Sequence, residues 1–220
     1  MSSPSSPTRG RPPRLDRART LQTALDLLNE SGLDALTMRR LADAVGVQAG
    51  ALYRYFATKH DLLTAMAERI LDGVTDAAAE ADVADWSERL ADLARALRTA
   101  LLAHRDGARL FAGTHPTGAN TLGFSDVAVG VLREAGFRDE DAARALFTVA
   151  NFTVGHTLEE QAALQPGSEE PAGAGALREA VTAGNHPHLE ATLPTLTSPD
   201  FTRLFEFGLA LLIEGLKGRL

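Results

Sequence analysis

The chain's only two tyrosines, Tyr53 and Tyr55, flank Arg54, with Arg39 and Lys59 close by in sequence. Phenol hydroxyls, guanidinium groups and an ammonium gathered in this way suit one kind of chemistry, which is donating hydrogen bonds to phosphate oxygens and base edges. The small residues Ala49, Gly50 and Ala51 just before them would let the backbone approach another surface closely.

The elements needed to hold these groups can be read around them. Thr37 is suited to cap a helix opening at Met38, and Leu41, Ala42 and Val45 fall on one face of it. Gly46 supplies a residue that tolerates a left-handed turn, and Val47 and Leu52 return to the same small core. A second helix is expected from Ala49 to Phe56, its outer face carrying Ala51, Tyr53, Arg54 and Tyr55. This is the pattern of a helix-turn-helix, and the expected partner is double-stranded DNA. A supporting helix from Asp16 to Ser31, stopped at Gly32, precedes it. After it, Thr58-Lys-His-Asp61 reads as a capping box with Asp in place of Glu, and Leu62, Leu63, Met66, Ile70 and Leu71 stripe the helix that follows. Gly73 ends or bends that helix, which is the natural mechanical link to the rest of the chain.

Net charge is −7 over 220 residues, which by itself opposes binding to a polyanion. Its distribution reverses that conclusion. Residues 1–60 hold nine Arg and Lys against five acids, whereas the remainder holds thirteen against twenty-four. A basic head on an acidic body fits a module that meets DNA at one end only. Residues 1–13, rich in Ser and Pro, read as a disordered basic arm. Its Arg9-Gly-Arg-Pro12 stretch suits a narrow minor groove, and a solubilising tail explains the composition equally well. Cysteine is absent, and no apolar run or secretion signal indicates membrane or export, so a cytoplasmic protein without membrane contact is expected.

Past residue 75 every patterned segment is helical, with candidate helices at about 84–103, 107–112, 120–135, 139–164, 175–183 and 199–218. The fold class is therefore all-α: a helix-turn-helix domain at 14–60, a connecting helix at 61–75, and a regulatory and dimerisation domain at 76–220. A flexible loop is expected over Pro166 to Gly175. In the last helix Phe201, Leu204, Phe205, Gly208, Leu209, Leu212 and Leu216 recur at threes and fours, and Phe207, Leu211 and Ile213 widen the apolar surface. Two apolar sides need two partners, so a homodimer is expected with Phe201, Phe205, Leu209 and Leu212 at the interface. A helix central to its own domain is the alternative. His156, Glu159 and Glu160 share helical spacing but lack a third or fourth ligand nearby, so no metal or cofactor is expected, and His186-Pro-His188 reads as a solvated turn. Neither a G-x-S-x-G elbow nor a phosphate-binding glycine loop occurs, and nothing invites an enzyme reading.

Leu33-Asp-Ala-Leu-Thr37, Val45-Gly-Val47, Leu52-Tyr53 and Lys59 resemble the N-terminal signature of the tetracycline-repressor (TetR) family of bacterial transcription regulators. Leu102-Ala-His-Arg-Asp-Gly-Ala108, Gly113-Thr114, Pro116-Thr117 and Phe152-Thr-Val-Gly155 with Leu158-Glu159 are similar to the namesake's regulatory domain. The resemblance spans about residues 14–220. It implies a homodimer on a palindromic operator, released by a small-molecule effector. It also places Arg39, Ala49, Gly50, Ala51, Tyr53, Tyr55 and Lys59 at DNA, with Arg39 and Lys59 on phosphate.

For the effector, the resemblance points to Thr75, Trp86, Leu93, Leu97, Phe111, Thr114, His115, Pro116, Asn151 and Glu159. Phe111 stands where the namesake has a magnesium-ligating histidine. Thr75, Leu93, Leu97, His115 and Asn151 replace its His, Asn, Phe, Arg and His, while Thr114 and Glu159 remain. A drier pocket follows, disfavouring a tetracycline-magnesium chelate and favouring a more apolar ligand. The expected function is a ligand-responsive repressor. The alternatives are an effector-independent architectural DNA-binding protein, whose body would offer no apolar cavity near Trp86, Leu97, Phe111 and Phe152, and an activator.

Overall fold

Asp16 accepts a hydrogen bond from the Ala18 amide and opens α1 (Arg17–Ser31), which ends at Gly32. The computed structural model describes residues 16–79, 85–164 and 170–220. The arm at 1–13, with Arg9-Gly-Arg-Pro12, and residues 166–169 of the expected loop lie outside the described residues.

The next two helices are α2 (Met38–Val45) and α3 (Ala49–Leu52). Thr37 Oγ1 accepts from the Arg40 amide at 3.1 Å, and Gly46 turns the chain at φ +72°, as the sequence predicts. The second helix is shorter than expected. Regular helix stops at Leu52, and the amides of Arg54 and Tyr55 close tighter three-residue turns onto the Ala51 and Leu52 carbonyls. The cause is local: Gln48 makes no side-chain cap, and Gly50 weakens a helix of one turn. Phe56, 1% exposed, still anchors its end.

The capping box of Thr58 and Asp61 forms in both directions at 3.0 Å and starts α4 (Lys59–Ile70). The connecting helix therefore ends earlier than Gly73. Tight turns closed by the amides of Leu71, Asp72 and Val74, with Gly73 at φ +74°, separate it from α5 (Val74–Ala79).

The body is built around α6 (Trp86–Leu102), which buries Leu90, Ala91, Leu93, Ala94, Leu97 and Leu101 against its neighbours. Around it lie α7 (Gly107–Ala112), α8 (Ala119–Glu134), α9 (Asp139–Ala163) and α13 (Phe201–Lys217). α10 (Ala174–Ala183), α11 (Pro187–Glu190) and α12 (Leu193–Leu196) lie between the last two. The two short helices fall where only a loop is expected, each opening with a proline in its first turn. Pro187 thus makes the His186–His188 segment a helix start. No strand occurs among the described residues, and the buried side chains of head and body form one continuous core.

The final helix turns opposite to the expected interface. Phe205 and Leu209 are 0% and 1% exposed, packed inside their own chain, while Phe207 and Leu211 stand 66% and 60% exposed. The reason is α9: Phe152 stacks on Phe205 at 5.5 Å, and a Cβ at Gly208 would overlap the Phe152 ring. That glycine lets the Phe205 side of α13 close onto α9. Phe201 and Leu212 are half-buried.

Candidate nucleic-acid interface and effector cavity

The predicted donors are exposed on the head. Tyr53 is 50% and Tyr55 41% exposed, Arg39, Gly50, Arg54 and Lys59 are exposed, and Ala49 and Ala51 are half-buried. Leu52 and Phe56 point the other way, 0% and 1% exposed, so a single turn of helix separates packing from presentation. Arg40, one residue from Arg39, is used internally, donating to Ser31 Oγ at 2.6 Å and to Glu30 at 3.3 Å. Unpaired-looking basic residues in sequence are thus sorted by the fold into a structural one and a presented one.

Head and body are tied where α1 meets the α6–α7 turn. Asp106, held at φ +55°, accepts from the Leu33 amide at 2.8 Å, and Arg109 grips Asp34 with two bonds of 2.8 and 2.9 Å. Hydrogen bonding to Arg109 holds the Asp34 carboxyl below the usual carboxylate range. Asn29 bonds the Arg105 amide at 3.1 Å and lies 3.3 Å from His104 Nδ1. Partial burial pushes the His104 imidazole below its ordinary value, with the Asp26 charge opposing. None of these contacts had a signal in sequence beyond the polar character of the residues.

The expected effector residues do not converge on one place. Leu93 and Leu97 line a cavity between α6, α8 and α9, together with Leu90, Phe124, Leu146 and Val149. The one polar residue there, Thr153, spends its hydroxyl on the Val149 carbonyl at 2.8 Å. The void encloses about 10 Å³, room for one water at most. Trp86 packs edge-on against Phe137 at 5.1 Å, at the far end of α6, about 24 Å along the helix from its α7 end. Phe111 is half-buried at α7, and Thr114 is buried with its hydroxyl on the Phe111 carbonyl. Pro116 is buried, Thr75 is half-buried, and His115 is exposed at φ +49°. Asn151 and Glu159 are exposed, on the outer stripe of α9 with Phe147 and Gly155 rather than toward the cavity.

Two of the three polar groups weighed for metal binding, His156 and Glu160, are engaged elsewhere, and Glu159 is exposed. His156 donates from Nε2 to the Phe201 carbonyl at 2.9 Å, and Glu160 pairs with Arg98 at 2.7 Å. No cluster of three possible ligands occurs among the described residues. Nor is any described helix long and apolar enough to cross a membrane.

Residues 21–66 match the family described as bacterial regulatory proteins, tetR family, and residues 79–220 match the tetracyclin repressor-like C-terminal domain. The class A tetracycline repressor from transposon 1721 of Escherichia coli is 43% identical over 200 residues, 90% of this chain and 89% of that one. The crystal structure of a possible TetR family transcriptional regulator from Streptomyces coelicolor A3(2) is 73% identical, with a TM-score of 0.86 over 93% of this chain and all of that one. The Streptomyces coelicolor TetR family protein ActR, in complex with (S)-DNPA, is 29% identical with a TM-score of 0.81, over 94% of this chain and 98% of ActR. Head, body and the joint between them are all covered by these similarities, and the chain belongs to the TetR family of ligand-responsive, DNA-binding transcription regulators.

Proposed function

We propose that this chain is a cytoplasmic homodimeric repressor without catalytic activity, which binds a palindromic operator through its tyrosine-bearing head. A small apolar effector, not a tetracycline-magnesium chelate, releases it. Residues 14–60 read DNA, 61–75 connect, and 76–220 sense and pair. Arg39 and Lys59 meet phosphates, while Ala49, Gly50, Ala51, Tyr53 and Tyr55 lie against bases and the sugar-phosphate edge. Two such heads about one helical turn apart, roughly 34–36 Å, would fit a palindrome.

The observation that carries the effector class is the lining of the α6–α8–α9 cavity, where Thr153 is the only polar residue and its hydroxyl is already committed. A hydrated metal chelate entering there would leave its polar atoms unpaired. Phe111, half-buried on α7, offers no metal ligand. The complex of ActR, a protein of similar fold, with (S)-DNPA supports a small-molecule effector here. Nearly full to nearly empty operator occupancy needs about 5.5 kcal/mol of differential affinity for the released form.

The dimer is read from the outward stripe. Phe152 against Phe205 and His156 against Phe201 set α9 and α13 antiparallel, and both helices carry exposed side chains, Phe147 and Asn151 on α9 and Phe207 and Leu211 on α13. Phe147, Phe207 and Leu211 are at least 60% exposed in the single chain, and a second copy would cover them. Asn151 and Glu159 would then face the second subunit.

One observation favours the effector-independent architectural reading: the void of about 10 Å³. The deciding experiment is a thermal-shift screen of apolar metabolites and of tetracycline with magnesium, followed by release of a bound duplex. A compound that raises the melting temperature and frees DNA supports the repressor, stabilisation by tetracycline-magnesium alone overturns the effector class, and DNA binding that no compound alters supports the architectural protein.

A further inference from the structure

Glu68, near the end of α4, reaches across to the start of α8. Its carboxylate accepts from the amides of Gly118 at 2.9 Å, Asn120 at 3.0 Å and Thr121 at 3.5 Å, and from the Thr121 hydroxyl. In return Asn120 Nδ2 donates to the Glu68 carbonyl at 2.8 Å. α8 has no cap of its own, because Gly118 occupies the capping position and brings no side chain. A carboxylate from another helix therefore fills the role that Ser, Thr, Asp or Asn usually fills locally, with the added attraction between its charge and the helix dipole. The position also explains the residue it caps. A Cβ at Gly118 would overlap the Glu68 carboxyl group, although the backbone there, at φ −81°, is open to any residue.

The two helices joined here have different duties in the repressor reading. α4 begins at Lys59, directly after the DNA-reading turns, and α8 supplies Phe124 and Ala128 to the wall of the closed cavity. An occupant can enter that cavity only by moving a wall, since the void is too small for more than one water. We infer that Glu68 is a positioning residue that locks α4 onto α8 in the DNA-binding arrangement, and that displacement of α8 reaches the reading head through this carboxylate. The inference rests on the repressor reading above and adds its relay.

The test uses the full chain and needs no effector. A duplex is first selected by the wild-type protein from a random library, and Glu68→Ala, Glu68→Gln, Gly118→Ala and the Glu68→Ala/Gly118→Ala double variant are compared by amide exchange and by affinity for that duplex. Glu68→Ala and Gly118→Ala should each speed exchange at Gly118, Asn120 and Thr121 and weaken the duplex about tenfold, with Glu68→Gln, which keeps one acceptor oxygen, in between. Gly118→Ala should add nothing in the Glu68→Ala background, because the carboxyl it evicts is gone; unfolding is told apart because it would speed exchange at amides throughout the core rather than at these three. Faster exchange with unchanged affinity reduces Glu68 to a helix cap and overturns the relay, as does unchanged exchange or additive loss. A wild-type chain that selects no duplex overturns the repressor reading itself, a result distinct from selection by the wild type with no effect in the variants.

Discussion

Arg98 meets Glu160 edge to edge, Nε to Oε2 at 2.9 Å and Nη2 to Oε1 at 2.7 Å, with the guanidinium 5.1 Å over the Phe205 ring. Both side chains are nearly buried, 12% and 9% exposed, and Thr202 accepts a third bond from the same guanidinium. The pair joins α6, α9 and α13. Removing one partner strands a buried charge, so Glu160→Ala should lower stability by about 3–5 kcal/mol, whereas replacing Arg98 and Glu160 together by Met and Leu should cost far less. Urea denaturation at fixed protein concentration reads both, and equal losses in the two variants would show that packing rather than the unpaired charge matters.

The tyrosine tip makes a separate claim. Tyr53 is half-exposed and bears no core load, so Tyr53→Ala should leave the melting temperature almost unchanged while weakening a selected duplex by about 1–3 kcal/mol. Phe56→Ala should do the reverse in order of cause, costing about 3–5 kcal/mol of stability because Phe56 is buried in the head core. A gel-shift titration with unchanged affinity for Tyr53→Ala would remove that residue from the contact surface.

The same division between presented and buried side chains bears on the proposed pairing. Phe207→Glu with Leu211→Glu should give folded monomers in analytical ultracentrifugation, with little affinity for a palindrome. Phe205→Ala should instead lower stability by about 3–5 kcal/mol, because the ring is stacked inside its own subunit. Dimers that survive the double charge substitution would place the interface on another face.

Phe205 also marks how far sequence could carry the structure. Caps and turns were legible because they are local: Thr37, Gly46, Gly32 and the Thr58–Asp61 box each act within four residues. The long helices followed from spacing. What periodicity could not give is which of two apolar sides of α13 turns inward, since that depends on Gly208 admitting the Phe152 ring from another helix. The early end of the second head helix was missed because apolar spacing does not register an absent cap. Site residues divided in the same way. The exposed tyrosines were visible as outward positions, but Glu68 and the Arg98–Glu160 pair join residues fifty or more positions apart and look like ordinary solvated charges in sequence. The effector residues carried over by resemblance scatter between cavity, α7–α8 turn and outer stripe, since a resemblance in sequence carries positions and not the packing around them.

The junction of head and body should be sensitive to acid. Burial holds the folded-state pKa of His104 below the ordinary histidine value, so the unfolded chain takes up its proton first as pH falls. The stability it contributes is therefore present above about pH 6.5 and declines as pH drops below that value toward the lowered folded pKa. Protonation also removes the Nδ1 lone pair that faces Asn29 Nδ2 at 3.3 Å, next to the Asn29 bond to the Arg105 amide. Loss should then concentrate where α1 meets the α6–α7 turn. Denaturation midpoints at pH 7.5 and pH 5.5 should differ more in the wild type than in His104→Gln, which cannot titrate, and amides around Leu33 and Arg105 should exchange faster at the lower pH in the wild type once the intrinsic pH effect is divided out. An identical midpoint difference in both proteins would move the acid sensitivity to the carboxylates, among them Asp34, which Arg109 holds below the usual carboxylate range.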